Sequence, residues 1–166
     1  MKPIIIALVG ASGSGKTTLS LHLQEHNGIP AVCSYTTRPM REGEINGRDH
    51  WFVGSDFKIP ENPLAYTFFG GHHYWTSPAQ INSKITSYVI DEKGLIELKN
   101  KWGDKYEILS IYIERSNLNG IAEDRKHRDL ERVSIDLDLY DIVLHNDSDI
   151  TSFLSTAVST IASYIY

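Results

Sequence analysis

Residues 10–17 combine glycines, a lysine and a threonine at the spacing of a phosphate-binding loop. The segment reads Gly-Ala-Ser-Gly-Ser-Gly-Lys-Thr, which satisfies the pattern G-x-x-x-x-G-K-[ST] at every fixed position, and an apolar run at 4–9 precedes it. Glycine lets backbone N–H groups approach phosphate oxygens closely, and the positive end of a following helix attracts the same anion. A nucleotide polyphosphate is therefore the predicted ligand of this segment.

The polar positions of the loop have distinct expected roles. Lys16 would bring a mobile cation to the β- and γ-phosphates, and the hydroxyl of Thr17 is the expected Mg²⁺ ligand. A nucleotide polyphosphate together with Mg²⁺ is therefore the expected ligand of these groups. The residues expected to bind it through this segment are Gly10, Ala11, Ser12, Gly13, Ser14, Gly15, Lys16, Thr17 and Thr18.

Two arginines, Arg38 and Arg41, lie three positions apart beside a hydroxyl-rich run at 34–37. Guanidinium groups donate paired hydrogen bonds to oxyanions, so two of them on one short segment suit a phosphate monoester. The alternative is a solvated turn that carries two unconnected arginines.

Apolar segments and helical patterns alternate along the chain and would position these residues. Four apolar segments predict buried parallel strands at 4–9, 87–90, 108–113 and 142–144, and residues 31–34 are a candidate fifth strand. Helical patterns follow residue 17 and recur at 95–102 and 150–165. This alternation predicts an α/β fold, a P-loop NTPase three-layer sandwich with a parallel sheet.

Residues 35–84 interrupt the alternation. They are rich in aromatic residues and too long for an ordinary loop of a compact domain. We expect an inserted lobe that overhangs the carboxyl edge of the sheet, where the phosphate loop also opens. The predicted single domain thus has a core of 1–34 and 85–166 and a lobe of about 35–84.

Composition narrows the possible partners and location. The net charge of −5 argues against a nucleic-acid polymer, because such a partner usually requires a basic face. The single cysteine, Cys33, rules out an internal disulfide and is predicted to be a small core side chain in a reducing compartment. No stretch has the pattern of a signal peptide or membrane span, so a cytoplasmic location is expected.

The segment around the two arginines carries a family likeness. Residues 36–52 match the signature T-[ST]-R-P-x-R-x-G-E-x-x-G-x-D-Y-x-F at every fixed position except one, where His50 replaces the tyrosine. The likeness continues at 74–76, 89–94 and 140–147. Over nearly its whole length, the chain resembles the guanylate kinase family.

The resemblance implies ATP- and Mg²⁺-dependent phosphoryl transfer to a nucleoside or deoxynucleoside monophosphate. Arg38 and Arg41 would grip the phosphate of the acceptor, with Tyr74 as a third donor and His50 in place of the family's tyrosine. Ser34 would contact the acceptor base. The implied acceptor-binding set is Ser34, Arg38, Arg41, His50, Tyr74 and Thr76.

On the donor side, the resemblance implies that Asp91, which ends an apolar strand, would orient Mg²⁺ together with Thr17. Asn146 would lie near the ATP adenine. The resemblance also implies a short lid at about 114–132. Within it, Arg125, Arg128 and Arg132 share one helix face by spacing and would close over the triphosphate of ATP, the alternative being an ordinary exposed helix. The implied catalytic set is Lys16, Arg38, Asp91 and Arg128.

The chain departs from the family where the acceptor base would be read. A guanine-selective site needs hydrogen-bond acceptors, and the family supplies two carboxylates. Their positions fall at Ala65 and Val89, neither of which is acidic; Glu61 could compensate if the loop is shifted.

Two other functions fit parts of the pattern. A kinase of another phosphorylated metabolite, such as a sugar phosphate, would keep the phosphate loop and both arginines without needing the base-reading carboxylates. A non-catalytic guanylate-kinase-like module that binds a partner protein is a third reading, but such modules typically lose the phosphate loop that Lys16 and Thr17 preserve here.

Overall fold

The computed structural model describes residues 1–116 and 136–166. Within them lie eight strands and three α-helices. In chain order these are β1 (Ile4–Gly10), α1 (Lys16–Asn27), β2 (Tyr35–Thr36), β3 (Trp51–Phe52), β4 (Ala65–Phe69), β5 (His72–Thr76), β6 (Ile85–Val89), α2 (Glu92–Trp102), β7 (Glu107–Glu114), β8 (Ile142–His145) and α3 (Ile150–Ile165).

The main sheet contains the four strands that the apolar segments predict. Its order is β6-β1-β7-β8, and every neighbouring pair is parallel. β1 therefore occupies an interior position, with Leu8 opposite Val89 on one side and Gly10 opposite Ile113 on the other. The candidate fifth strand is reduced to a single parallel bridge between Ala31 and Ser87.

Alternate residues of β1 face opposite sides of the sheet, as the two-residue period of a strand requires. Ile6 and Leu8 belong to a buried cluster with residues of α1 and α3, whereas Ile5, Ala7 and Val9 belong to a second cluster with residues of α2. The sheet thus lies between helices on both faces. This arrangement confirms the predicted three-layer α/β fold.

The segment at 35–76 forms a second sheet of order β3-β2-β5-β4. Strands β4 and β5 make an antiparallel hairpin, in which Ala65 pairs with Thr76. Its tight turn places Gly70 and Gly71 at φ 58° and 80°, where residues with a Cβ are disfavoured. We call this sheet and its connecting loops the lobe.

A buried hydrogen bond joins the lobe to the core. The hydroxyls of Thr76 on β5 and Tyr88 on β6 lie 2.7 Å apart, and both side chains are almost completely buried. Burial, the largest effect, raises the pKa of Tyr88, so this phenol stays neutral at physiological pH. The lobe is therefore fixed near the carboxyl end of β6.

None of the described helices combines the length and apolar character needed to cross a bilayer.

Candidate active site

The loop between β1 and α1 has a backbone that two of its glycines make possible. Gly13 and Gly15 adopt φ 75° and 112°. A Cβ at Gly15 would lie 2.7 Å from Nδ2 of Asn146, and one at Gly10 would lie 2.5 Å from the carbonyl oxygen of Ile113. Glycine is thus required here by backbone conformation and by close packing against the neighbouring strands.

Two cations are hydrogen-bonded to carbonyls of this loop. Lys16 Nζ donates to the carbonyls of Gly10 and Ala11 at 2.6 and 2.8 Å. Arg115, the first residue after β7, donates from Nη1 to the carbonyl of Gly13 at 2.9 Å. Sequence analysis missed Arg115, because it belongs to no motif; its position at the end of an apolar strand next to β1 was the available signal.

A cavity of about 450 Å³ opens beside the loop. We call it the P-loop cavity. Asn146, expected near the adenine, lines it and also braces the loop by donating from Nδ2 to the carbonyl of Ser14 at 2.7 Å. The full lining is Gly13, Gly15, Lys16, Thr17, Thr18, Arg115, Asn146, Ser148, Ile150 and Phe153.

A second cavity of about 570 Å³ lies between α1, the end of β6 and the lobe. We call it the lobe cavity. Its walls include Thr17, Ser34, Glu44 and His50. Because Thr17 also lines the P-loop cavity, the first turn of α1 stands between the two cavities.

Arg38 is held beside the lobe cavity by Glu44, which lines it. Its Nη2 lies 2.7 Å from Glu44 Oε1, its Nη1 lies 3.0 Å from Oε2, and its guanidinium carbon lies 5.4 Å from the centre of the Phe52 ring. The hydrogen bond to Arg38 is the main cause that lowers the pKa of Glu44 to about 2, and the same bond raises the pKa of Arg38. Both groups are therefore charged at any physiological pH.

Other members of the predicted acceptor set surround this pair. Arg41 is exposed, and its backbone N–H donates to Glu44 Oε2 at 2.7 Å. His50 Nδ1 lies 2.8 Å from the hydroxyl of Ser34, and its ring meets the edge of Tyr74 at 5.7 Å. Burial, and then the charge of Arg38, lower the pKa of His50, so its imidazole is neutral at neutral pH.

A smaller cavity of about 140 Å³ adjoins the lobe cavity, and both are lined by Ser34, Tyr88 and Val89. We call it the strand cavity. Ala65 and Val89, the positions at which sequence analysis expected the family's two carboxylates, both line it. The walls that would face an acceptor base are therefore apolar at both of these positions.

Asp91 lines a different cavity from Thr17, the other residue predicted to orient Mg²⁺. Its Oδ1 caps α2 by accepting from the backbone N–H of Gly94 at 2.6 Å, and the residue lines the strand cavity. Thr17 lines the P-loop and lobe cavities, neither of which Asp91 lines. The structure thus does not bring the two predicted Mg²⁺ ligands into one cavity, because the chain turns into α2 directly after β6.

Three further residues differ from expectation. Thr76 is fully buried, shares a hydrogen bond with the hydroxyl of Tyr88 and lines none of these three cavities. Glu61 lines none of the three cavities; it lines a neighbouring depression that shares Ala65 and Tyr66 with the strand cavity. Cys33 is on the wall of the lobe cavity instead of the core, and burial raises the pKa of its thiol to about 11.

The lid arginines Arg125, Arg128 and Arg132 lie outside the described residues.

The geometry of the loop fits a nucleotide polyphosphate. The glycine conformations and the close packing at Gly15 preserve a concavity that a Cβ would fill, at the amino end of the twelve-residue helix α1. Thr17, exposed on the first turn of that helix, offers the hydroxyl that a phosphate-bound Mg²⁺ requires.

A parallel sheet with this loop after its interior strand defines a P-loop nucleotide-binding protein. A family model described as guanylate kinase matches residues 1–151. The guanylate kinase of Neisseria meningitidis serogroup A is 31% identical over 163 residues, covering 86% of this chain and 80% of the relative. That of Chlamydia trachomatis serovar D is 30% identical over 175 residues, covering 91% and 83%. The chain belongs to the guanylate kinase family.

A solved structure agrees on the fold. The crystal structure of guanylate kinase from Anaplasma phagocytophilum matches 98% of this chain and 86% of its own chain, with a TM-score of 0.68 and 21% sequence identity.

Proposed function

We propose that the protein transfers the γ-phosphoryl group of ATP to the phosphate of a nucleoside or deoxynucleoside monophosphate. The observation that carries this proposal is the position of Thr17, which lines both the P-loop cavity and the lobe cavity. A donor bound along the loop and an acceptor bound in the lobe cavity would meet at the first turn of α1.

The donor site would act mainly through positioning and charge. The loop N–H groups and Lys16 would hold the phosphate chain, and Thr17 would hold Mg²⁺, which neutralises phosphate charge when bound. Phosphoryl transfer between phosphates needs no strong base and no covalent enzyme intermediate, because orientation and electrostatic stabilisation supply most of the rate. We place Lys16 in the catalytic role and assign Arg128 to the same role on the resemblance alone.

The acceptor phosphate would bind between Arg38 and Arg41. Arg38 is pre-oriented by Glu44, and Arg41 is exposed with its backbone fixed by the same carboxylate. Tyr74 and His50, whose rings meet edge to face, are the further donors that we propose. Arginine suits this role since its planar group donates two parallel hydrogen bonds to one phosphate.

The acceptor base would enter the strand cavity. With Ala65 and Val89 on its walls, Asp91 is the acidic residue among those that line this cavity, and we propose that its carboxylate reads an N–H group of the base. Strong selectivity arises when the wrong base leaves buried hydrogen-bonding groups of the site without partners. A site with one carboxylate in place of two has fewer such groups and would therefore discriminate less strongly between bases.

A phosphorylated sugar is the second candidate acceptor. The apolar side chains of Ala65 and Val89 favour it, since a sugar phosphate needs the arginine site but no base-reading acid. A non-catalytic binding module is not supported, because the phosphate loop retains both Lys16 and Thr17.

The test is ATP-dependent phosphorylation of a panel of ribo- and deoxyribonucleoside monophosphates and sugar phosphates, with the Lys16→Ala variant as control. We expect turnover of at least one nucleotide with a modest preference among bases, and no turnover in the variant. Turnover of a sugar phosphate alone would show that the acceptor is the sugar phosphate and not a nucleotide. ATP binding without turnover of any compound would overturn the proposed reaction.

A further inference from the structure

We infer that Arg115 is a donor-site residue whose guanidinium contacts the phosphates of the bound nucleotide, as a second fixed cation beside Lys16. The inference rests on the proposed function, since it presupposes a nucleoside triphosphate in the P-loop cavity. It adds to the loop motif a residue that lies 102 positions after Gly13, the loop residue it contacts.

The sheet brings Arg115 to the loop. β7 pairs with β1 such that Ile113 lies opposite Gly10, the first residue of the loop, and Glu114 lies opposite His145 on β8. The carboxyl end of β7 therefore emerges between the loop and the end of β8. Arg115 is the next residue, and it is half-buried at the point where the P-loop cavity begins.

The backbone on both sides of Arg115 is anchored. The carbonyl of Glu114 accepts from the N–H of Asn146 at 2.8 Å, and the N–H of Ser116 donates to Asp147 Oδ1 at 2.8 Å. The guanidinium thus projects from a fixed strand end. A cation on such a platform loses less conformational freedom on binding than one on a free loop, which is the condition for effective electrostatic stabilisation.

The charge balance of the cavity favours an anion. Lys16 and Arg115 are the charged side chains among its described lining residues, and both are cationic. Two neighbouring acidic side chains are paired with other groups and not with these cations. Glu114 Oε2 lies 2.9 Å from His145 Nδ1, and Asp149 caps α3 by accepting from the backbone N–H of Ser152. Two positive charges facing one cavity match a polyphosphate better than any neutral ligand.

The present contact of Arg115 leaves it able to bind phosphate. Its Nη1 donates to the carbonyl of Gly13, whereas a guanidinium has five N–H donors. Lys16 is likewise hydrogen-bonded to loop carbonyls, at Gly10 and Ala11. Phosphate oxygens are stronger acceptors than neutral carbonyls, so a nucleotide can take the remaining donors of Arg115 while the contact to Gly13 persists.

The test measures the affinity of Arg115→Gln, Arg115→Lys and Lys84→Gln for Mg·ATP and for adenosine, by titration calorimetry on the full chain. Glutamine can still donate to the Gly13 carbonyl but carries no charge. Lys84 is exposed just before β6, at the opposite edge of the sheet, and its variant removes the same charge away from the cavity.

We expect Arg115→Gln to weaken Mg·ATP binding about 10- to 100-fold, as the loss of hydrogen bonds to a charged group predicts, and to change adenosine binding less than twofold. Arg115→Lys should recover part of the loss, and Lys84→Gln should bind like the wild-type protein. Equal losses for ATP and adenosine would assign Arg115 to bracing the loop and overturn the inference, as would unchanged ATP binding. A wild-type chain that binds no ATP would overturn the proposed function as well.

Thermal unfolding without nucleotide separates misfolding from lost contacts. If Arg115→Gln fails to fold, Arg115→Lys decides the matter, because it keeps the charge and changes only the number and geometry of donors. A Lys variant that keeps wild-type ATP affinity, or that loses affinity for ATP and adenosine equally, would contradict phosphate contact by Arg115, whereas reduced ATP affinity with unchanged adenosine affinity supports it.

Discussion

Arg38 and Glu44 form a two-pronged ion pair, with Nη2–Oε1 and Nη1–Oε2 distances of 2.7 and 3.0 Å. Glu44 also accepts from the backbone N–H of Arg41, so one carboxylate closes the turn and orients the guanidinium. This pair sets the shape of the proposed phosphate site before any acceptor arrives.

Glu44 should make folding stability depend on acidity. Its pKa falls from the ordinary value of 4.5 to about 2 in the folded protein. A carboxyl with a lowered folded pKa contributes stability that is complete above its unfolded pKa and is lost as the pH falls toward its folded pKa. The stability difference between wild type and Glu44→Gln should therefore be largest near pH 7 and shrink between pH 4.5 and 2.

Denaturant unfolding at several pH values measures this difference. Glu42→Gln, an exposed change in the same turn, is the matched control for the removal of one carboxylate. A Glu44→Gln difference that stays constant from pH 7 to pH 2 would mean that the ion pair does not govern the effect.

Arg38→Gln should damage use of the acceptor more than binding of the donor. Replacing the guanidinium removes the paired hydrogen bonds to phosphate and leaves Glu44 without its partner. We expect the acceptor kcat/KM to fall about 100-fold, in line with two lost charge-assisted hydrogen bonds. Steady-state kinetics with ATP saturating, and calorimetric ATP affinity, measure the two effects; Lys58→Gln, exposed on the lobe, is the control. A matching loss of ATP affinity would contradict the assignment.

Asp91→Asn separates a base-reading role from a metal-binding role. Asparagine caps helices about as well as aspartate, so α2 should keep the hydrogen bond to Gly94 and its stability. If the carboxylate reads the base, the acceptor KM should rise about tenfold or more while the Mg²⁺ dependence stays the same. Kinetics over a range of Mg²⁺ concentrations test this expectation. A shift in the Mg²⁺ requirement with an unchanged acceptor KM would support the metal role predicted from the sequence and contradict base reading.

Gly15→Ala should weaken nucleotide binding by distorting the loop. The new Cβ would lie 2.7 Å from Nδ2 of Asn146 on a backbone with φ 112°. Such strain costs on the order of 1–3 kcal/mol. Gly54→Ala is the matched control, since a Cβ there meets no atom within 4 Å. The unfolding temperature and the ATP affinity should both fall in Gly15→Ala and stay at wild-type values in Gly54→Ala. The same result for both variants would contradict the steric explanation.

Local sequence patterns were sufficient to predict the phosphate loop and the α/β fold. The phosphate loop at 10–17 is recognisable from the spacing of its glycines, lysine and threonine. Buried parallel strands appear as continuous apolar runs, and their alternation with helical patterns predicted the three-layer fold. The strand proposed at 31–34 was reduced to one bridge, because Ala31 pairs with Ser87 only where the chain crosses the edge of β6.

The contacts between distant residues were beyond the reach of sequence patterns. Arg38 and Glu44 meet across an irregular turn with no fixed period, and Arg115 reaches Gly13 only through the order of strands in the sheet. Asp91 was placed at a strand end correctly, but its direction depends on how α2 begins. The position of a residue in the sequence predicts at which edge of the sheet its side chain lies. It does not predict which cavity the side chain lines, because that depends on how the next element packs.

The cationic lining of the P-loop cavity has a consequence for the sequence of binding events. A bare Mg²⁺ ion that enters it meets Lys16 and Arg115, and among the described residues that line it no carboxylate offers compensation. Coulomb repulsion makes that encounter unfavourable, whereas the Mg·ATP complex carries a net negative charge. The metal should therefore reach Thr17 as part of the nucleotide complex, so that the two arrive as one ligand.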